Sequence, residues 1–302
     1  MAGAVWLNGD FVARDDARVS AFDASVQHGV GLFETMLAVR GRVFRLHDHL
    51  ARLRGSAQEL GLTESLRVNA LGEAVRLVAE RAGLERARIR LTLTGGDLNM
   101  LSSTARGPST PTVLIVAQPA TAYPEAMLER GGGAMIAEPR LNPLDAFEGH
   151  KTINYWRRLR ELQRAAANGM DEAIFLQVTN HVGGGAVSNL FIVRAGALAT
   201  PIARGEEDPS PAALRSPVLP GVTRGAVIDF ADAMGVGCDK RMLAIDDVLD
   251  ADEAFLTNSG WGVLPLVRVE GKAIGDGTPG EVTRSLREKW AEAVEDDADD
   301  AV

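Results

Sequence analysis

The chain has 302 residues, 46% hydrophobic and 24% charged, the balance of a soluble globular protein long enough for one large domain or two ordinary ones. Its net charge of −9 argues against a general nucleic-acid binder, although a local set of donors can still hold a small anion. A single cysteine, Cys238, excludes an intrachain disulfide framework and a cysteine-rich metal site and fits a reducing, cytoplasmic setting; no apolar run of membrane-spanning length and no secretory signal is evident.

Trp6 to Val12 reads as two short strands around an Asn8-Gly9 turn. Gly29 and Gly31 follow, where the backbone can approach something closely, and Leu32 to Val39 continues as a strand. Helices are predicted over Asp48–Gly61 and from about Glu64 to Arg81, stopping near Gly83. Arg88 to Thr94 alternates polar and apolar residues as a half-buried strand does, and Thr112 to Ala117 reads as a buried strand. Asn99 to Pro111 between them is polar and turn-rich, a mobile loop. Gln118 to Glu125, with Pro119 and Pro124, is expected to link two halves.

In the second half, Ala134–Glu138, Glu172–Val178, Ala186–Val193, Ala197–Pro201, Glu253–Thr257 and Val263–Val269 read as strands. Helical spacing runs over Thr152–Asn168 with Gly169 as a C-cap, from Pro220 to Gly235, over Asp246–Asp250 and over Pro279–Val294. His181 to Gly185 reads as a turn, and the acidic stretch from Glu295 as a disordered tail. The class is mixed α and β in two parts: an α+β domain over 1–118, a linker over 119–125, a larger domain over 126–294 and a tail over 295–302.

Chemistry concentrates on Glu148-Gly149-His150-Lys151-Thr152-Ile153-Asn154-Tyr155-Trp156. Most of the 32 basic residues are arginine, so a lysine placed at the mouth of a helical run stands out. Lysine forms a Schiff base with an aldehyde, which arginine cannot do. Other clusters carry less. His47 and His49 flank the start of a helix without a third metal ligand nearby, and no metal site is expected. The Gly131–Gly133 run lacks the lysine of a phosphate loop.

Seven separated stretches, in order and spacing, resemble the class IV aminotransferase family, the group of branched-chain aminotransferases, D-amino acid transaminases and aminodeoxychorismate lyases. They are Gly31–Thr35, Leu46–Leu53, Lys151–Tyr155, Asp171–Ala173, Ser188–Phe191, Leu219–Arg224 and Phe255–Ser259. The resemblance implies a two-domain fold-type IV enzyme, with a small α+β N-terminal domain and a larger pseudo-barrel, that binds pyridoxal 5'-phosphate and forms a homodimer. It makes Lys151 the Schiff-base lysine and proton carrier and Arg52 a phosphate ligand. It makes Gly221, Val222 and Thr223 a phosphate cup at a helix N-terminus, with Asn258 and Ser259 as further donors. Leu219 would pack on the cofactor ring and Tyr155 would sit near its 3' oxygen. The substrates implied are an amino acid, small or branched, and a 2-oxo acid. Pyruvate elimination from aminodeoxychorismate is the runner-up.

Two positions depart from the family. Five residues before Asn189, where a glutamate is expected to bind the pyridine nitrogen, stands Gly184, and no acid lies between Gln177 and Leu190. An acid from elsewhere, an unprotonated pyridine, or a binding protein that has lost catalysis would each account for it. Gly95 stands where many relatives carry an arginine that helps to hold a substrate carboxylate.

Overall fold

A computed structural model describes residues 3–63, 65–97, 111–210 and 213–296, and the turn-rich stretch expected from Asn99 lies, up to residue 110, outside them. The chain divides into two compact units. One holds the residues up to Thr121, a short segment from His150 to Asn154, and the end of the last helix from Val294. The other holds Ala122–Gly149 and Tyr155–Ala293.

The first unit is built on β1 (Ala4–Leu7), β2 (Asp10–Val12), β3 (Gly31–Val39), β4 (Arg42–Val43), β5 (Arg86–Thr94) and β6 (Val113–Pro119), in the order β2-β1-β6-β5-β3-β4. All its neighbours are antiparallel. Strands β3 and β5 pair along their whole length, from Gly31 opposite Thr94 to Val39 opposite Arg86. Between β2 and β3 lies the one-turn α1 (Ala24–His28), which Asp23 caps by accepting from the Ser25 amide. Two helices cover one face, α2 (Leu46–Glu59) and α3 (Val68–Ala82). On α3, Leu71, Ala74, Val75, Val78 and Ala79 recur at helical spacing and are buried; Leu46, Leu50, Leu53 and Ala57 do the same on α2. With Ile89, Leu91 and Ile115 they form one continuous core.

The second unit contains α4 (Glu125–Arg130), β7 (Gly132–Leu141), α5 (Trp156–Ala167), β8 (Glu172–Gln177), β9 (Val182–Gly185), β10 (Asn189–Arg194), β11 (Ala197–Thr200), α6 (Val222–Ala233), β12 (Cys238–Lys240), α7 (Ile245–Leu249), β13 (Glu253–Asn258), β14 (Gly262–Val269), β15 (Lys272–Ala273) and most of α8 (Glu281–Asp296). Its sheet runs β12-β11-β10-β13-β14-β7-β8-β9, with β15 beside β14. The pairs β11/β12, β14/β7 and β7/β8 are parallel and the rest antiparallel. All six residues of β8 are buried, as expected of a strand covered on both faces.

The structure corrects the sequence reading at four places. Helix α5 begins at Trp156, so Thr152–Asn154 are not helical, and His150–Asn154 belong to the first unit rather than to the domain expected over 126–294. The expected turn over His181–Gly185 is strand β9 from Val182 onward, and its glycines serve close packing rather than turning. Most of the expected linker over 119–125 is irregular, but Pro119 ends β6 and Glu125 already opens α4. Helix α8 continues through Asp296, where Glu295 bonds Arg40 and Arg86, each at 2.7 Å.

Candidate active site

In the first unit the segment carrying Lys151 adds to the edge of β3. The Phe33 amide donates to the Lys151 carbonyl at 2.9 Å, the Ile153 amide donates to the Gly31 carbonyl at 3.0 Å, and Thr152 bridges Leu32. Backbone bonds on both sides therefore fix the lysine's Cα, while the side chain lies over Phe33 with Nζ 4.6 Å from the ring centroid. Arg90 stacks on the same ring, with Cζ 3.5 Å from the centroid. Next to the lysine, His150 Nδ1 lies 2.9 Å from Ser56 Oγ and Nε2 lies 3.5 Å from Glu59.

What the backbone of Gly31 approaches closely is this segment. A Cβ at residue 31 would stand 2.7 Å from the Leu93 carbonyl oxygen and 3.0 Å from Ile153 Cδ1. Gly31→Ala is expected to cost about 1–3 kcal/mol in a denaturation midpoint. It should also push Ile153 off β3, seen as faster amide exchange at Phe33 and Ile153.

Beneath the lysine segment, Glu34 of β3 is a buried carboxylate gripped by α2. Arg52 reaches it with Nε at 2.9 Å and Nη2 at 2.5 Å, and His49 Nδ1 lies 2.8 Å away. Glu34 and His49 are each 1% exposed. Burial works against the Glu34 charge, but the Arg52 guanidinium beside it and the bonds from His49 and Arg52 hold its carboxyl at about 2. Desolvation lowers the His49 pKa, so the ring is neutral, and an ionised Glu34 requires Nδ1 to carry the proton. The histidine singled out by sequence is thus a partner of a carboxylate; among the described residues no group of three potential ligands could hold a metal.

The second unit places the remaining expected residues. Asn189 of β10 donates to the Leu219 carbonyl at 2.8 Å and so pins the turn that opens α6. Gly221 is the N-cap and, as glycine, offers no side chain to the first-turn amides. Val222 and Thr223 are buried in that first turn, and Leu219 is half-buried before it. Opposite Asn189 across the sheet stands Thr257. The hydroxyls of Thr223 and Thr257 are both buried with no hydrogen-bond partner among the described residues. A helix N-terminus behind a glycine N-cap, together with such buried hydroxyls, is suited to an oxyanion such as a phosphate. Asn258 Oδ1 accepts from the Gly260 and Trp261 amides at 2.8 and 3.0 Å, an Asx turn that presents half-buried Ser259. Tyr155 donates its hydroxyl to the Ala186 carbonyl at 3.0 Å.

Sequence reading gave no role to three side chains here. Arg224, in the first turn of α6, forks onto Glu206 at 2.9 and 2.7 Å and fastens the helix start to the preceding loop. Arg158 of α5 donates to the Gly185 carbonyl at 3.1 Å. Glu172 opens β8 fully buried and accepts four bonds: from the amides of Ala173, Ala186 and Val187 and from Ser188 Oγ, at 2.9, 3.1, 3.2 and 2.7 Å. A lone glutamate at the head of the apolar run Ala173–Leu176 was the available signal.

Residues 31–269 match the family model described as "Amino-transferase class IV". The chain is 31% identical over 296 residues to a branched-chain-amino-acid aminotransferase of Escherichia coli strain K12, with 95% of this chain and 91% of the relative covered. A solved T.th. branched-chain amino acid aminotransferase with pyridoxamine 5'-phosphate superposes with a TM-score of 0.84 at 28% identity, covering 97% of this chain and 94% of that one. A 4-amino-4-deoxychorismate lyase from Pseudomonas aeruginosa superposes with a TM-score of 0.81 at 26% identity, covering 95% and 98%.

Proposed function

The chain belongs to the class IV aminotransferase family, and on that premise we propose that it is a pyridoxal 5'-phosphate enzyme moving an amino group between a small or branched-chain amino acid and a 2-oxo acid. The observation that carries the cofactor is the pair of buried hydroxyls of Thr223 and Thr257, without a hydrogen-bond partner among the described residues, together with the start of α6, where the glycine N-cap offers no side chain. The branched-chain relatives support the substrate class.

Bound pyridoxal phosphate supplies an aldehyde for the substrate nitrogen and a ring that withdraws electrons from Cα. The protein does the rest. Thr223, the Val222 amide and Ser259 would hold the phosphate, with Asn258 shaping the Ser259 turn. Arg52 would add a guanidinium that Glu34 holds in place. Leu219 would pack on the ring and Tyr155 would stand by its 3' oxygen. Lys151 Nζ would be the residue that holds the cofactor and, as a free amine when substrate is bound, the base for the Cα proton, since a 1,3-shift needs one base that reaches both carbons. The backbone bonds of Lys151 and Ile153 to β3 keep that base from swinging away.

The test is an absorbance titration of the protein with pyridoxal phosphate. A visible band of lysine-bound cofactor is expected in the wild type and absent in Lys151→Ala. Thr223→Val is expected to weaken cofactor binding about 10–100-fold, the value of a hydrogen bond to a charged group. L-leucine bleaching the band would assign the transferase. Pyruvate released from aminodeoxychorismate with the band retained would assign the lyase, the second reading, which the Pseudomonas neighbour favours. No band would leave a binding protein on an inherited fold.

The homodimer and the cytoplasmic setting belong to the same reading. Exposed Phe22 and Val26 in one unit, and Leu144, Phe147 and Trp156 in the other, are apolar surface that a second copy would cover. No helix among the described residues is long and apolar enough to cross a membrane.

A further inference from the structure

Helix α6 opens against the usual rule for charge. Its first turn, Val222-Thr223-Arg224-Gly225, carries a cation and no acid, although a carboxylate is what the positive end of a helix dipole favours. The cation is also out of water, since Arg224 is 2% exposed. Its guanidinium is held by the loop that follows β11. Nη1 and Nη2 fork onto Glu206 at 2.9 and 2.7 Å, Nη2 also donates to the Pro201 carbonyl at 3.1 Å, and Nε donates to Thr200 Oγ1 at 3.3 Å. Thr200 in turn donates to the Leu190 carbonyl at 2.8 Å, one residue along β10 from Asn189.

A second cation shares the same carboxylate. Lys240 of β12, the register partner of Thr200, brings Nζ to 2.9 Å from Glu206 Oε1. Burial works against the Glu206 charge, but the bonds from Arg224 and Lys240 hold its carboxyl at about 2. Glu206 is therefore ionised at neutral pH, and one carboxylate serves two cations. The positive charge left over adds to that of the helix start. There the Thr223 hydroxyl is buried with no hydrogen-bond partner among the described residues. The N-cap is confined to glycine, because a Cβ on Gly221 would strike the Asn189 side-chain oxygen. Each of these features suits an anion at the first turn of α6.

Resting on the cofactor reading above, we propose that Arg224, Lys240 and Glu206 set the electrostatic potential at the start of α6 and thereby the affinity of that turn for the cofactor's phosphate. The two cations strengthen the hold on the anion, and Glu206 keeps it in check. All three Arg224 nitrogens are engaged by Glu206, Pro201 and Thr200, so Arg224 acts through its charge and through the helix start it fixes. These are positioning residues, and the charge role has a sign that a mere brace lacks. Glu206→Gln keeps an acceptor for the guanidinium while removing the opposing charge, so it should tighten phosphate binding. A brace would be loosened by that change as by any other.

The experiment measures the affinity of the full chain for pyridoxal 5'-phosphate and for pyridoxal, which lacks the phosphate, through the Lys151-dependent absorbance band. The ratio of the two affinities isolates the share of the phosphate, whereas a general loss of fold lowers both. Glu206→Gln should raise the ratio about threefold, Lys240→Met should lower it about threefold, and Arg224→Met should lower it about tenfold, as charges near a helix start do when exposed and when buried. The Lys240 side chain is 42% exposed, so its replacement keeps the test open if Arg224→Met does not fold. The inhibition constant of inorganic phosphate against cofactor loading should follow the same order, falling in Glu206→Gln and rising in Lys240→Met. A ratio lowered by Glu206→Gln overturns the proposal and leaves the cluster a brace; a ratio that none of the variants moves also overturns it. If the wild type forms no band with pyridoxal phosphate, the cofactor reading itself has failed, and this inference with it.

Discussion

Replacing Glu34 by alanine is expected to destabilise the protein by about 3–5 kcal/mol, because the change strands a partner charge rather than merely losing a bond. Arg52 is 10% exposed, and two of its donors point at the Glu34 oxygens. Without the carboxylate, that guanidinium and the His49 Nδ1–H would both lose the acceptor that holds them at the buried face of β3. Glu34→Gln should cost less, since it keeps an acceptor while losing the charge. Glu34→Ala combined with Arg52→Met should recover part of the loss, because removing both charges removes the desolvation penalty. The pH dependence follows in sign. The folded Glu34 carboxyl sits at about 2, below its ordinary 4.5. Its contribution is complete above the ordinary value and is lost as pH falls through about 2. His49 adds a loss of the same sign as pH falls below its ordinary value of 6.5, because the buried ring resists charging. Urea melts between neutral and acid pH should show this slope in the wild type and a flatter one in Glu34→Gln. A Glu34→Ala protein as stable as the wild type would mean that water reaches the cluster and screens it.

The parts of the fold that sequence made legible are those whose cause is local. The helical spacing of Leu71, Val75, Val78 and Ala79 and the alternation of Arg88 to Thr94 record which face is buried, so α3 and β5 could be read directly. The hairpin of β1 and β2 was legible from Asn8-Gly9 for the same reason. What escaped depends on partners far away in the chain. Thr152–Asn154 are compatible with a helix by spacing, but the amide of Ile153 finds the carbonyl of Gly31, and the segment stays extended. Gly183–Gly185 read as a turn because glycine usually marks one; Leu141, Ser188 and Glu172 fill the space that side chains there would need. Of the candidate residues, Lys151 and Thr223 were proposed through separated stretches in register with a family. Glu172 lay inside one of those stretches without a role and Arg158 outside them, since a helix arginine and a glutamate opening a strand have no signature until the sheet brings Gly185 and Ala186 to them.

Glu172→Ala is expected to cost on the order of 3–5 kcal/mol, through unsatisfied amides rather than a stranded charge. Its carboxylate closes the corner between β9 and β10 by accepting from Ala186, Val187 and Ser188, and it also takes the amide of Ala173. Alanine takes this acceptor from the Ala173 and Val187 amides and the Ser188 hydroxyl, while the Ala186 amide keeps the Ala173 carbonyl at 2.9 Å; each group orphaned costs about 1–3 kcal/mol, less whatever a water recovers. Glu172→Gln is the sharper probe. One oxygen remains, but the amide nitrogen faces N–H donors, so the corner loses about half of its bonds and Ser188 loses its alignment next to Asn189. That residue pins the turn before α6, so cofactor affinity should fall together with stability. The pH dependence has the opposite sign to that of Glu34. Burial pushes the Glu172 carboxyl above its ordinary 4.5, against the pull of its four donors. The folded state therefore binds this proton more tightly than the unfolded chain does. Its contribution is fully present below 4.5 and declines as pH rises through the raised folded value. Glu172→Gln removes that decline, so its stability relative to the wild type should be worst at acid pH and less unfavourable above it, whereas Glu34→Gln should be worst at neutral pH. Denaturant midpoints of the two variants across one pH series give both signs in a single experiment. Parallel curves for the two would show that the donors of Glu172 outweigh its burial and hold it ionised like Glu34.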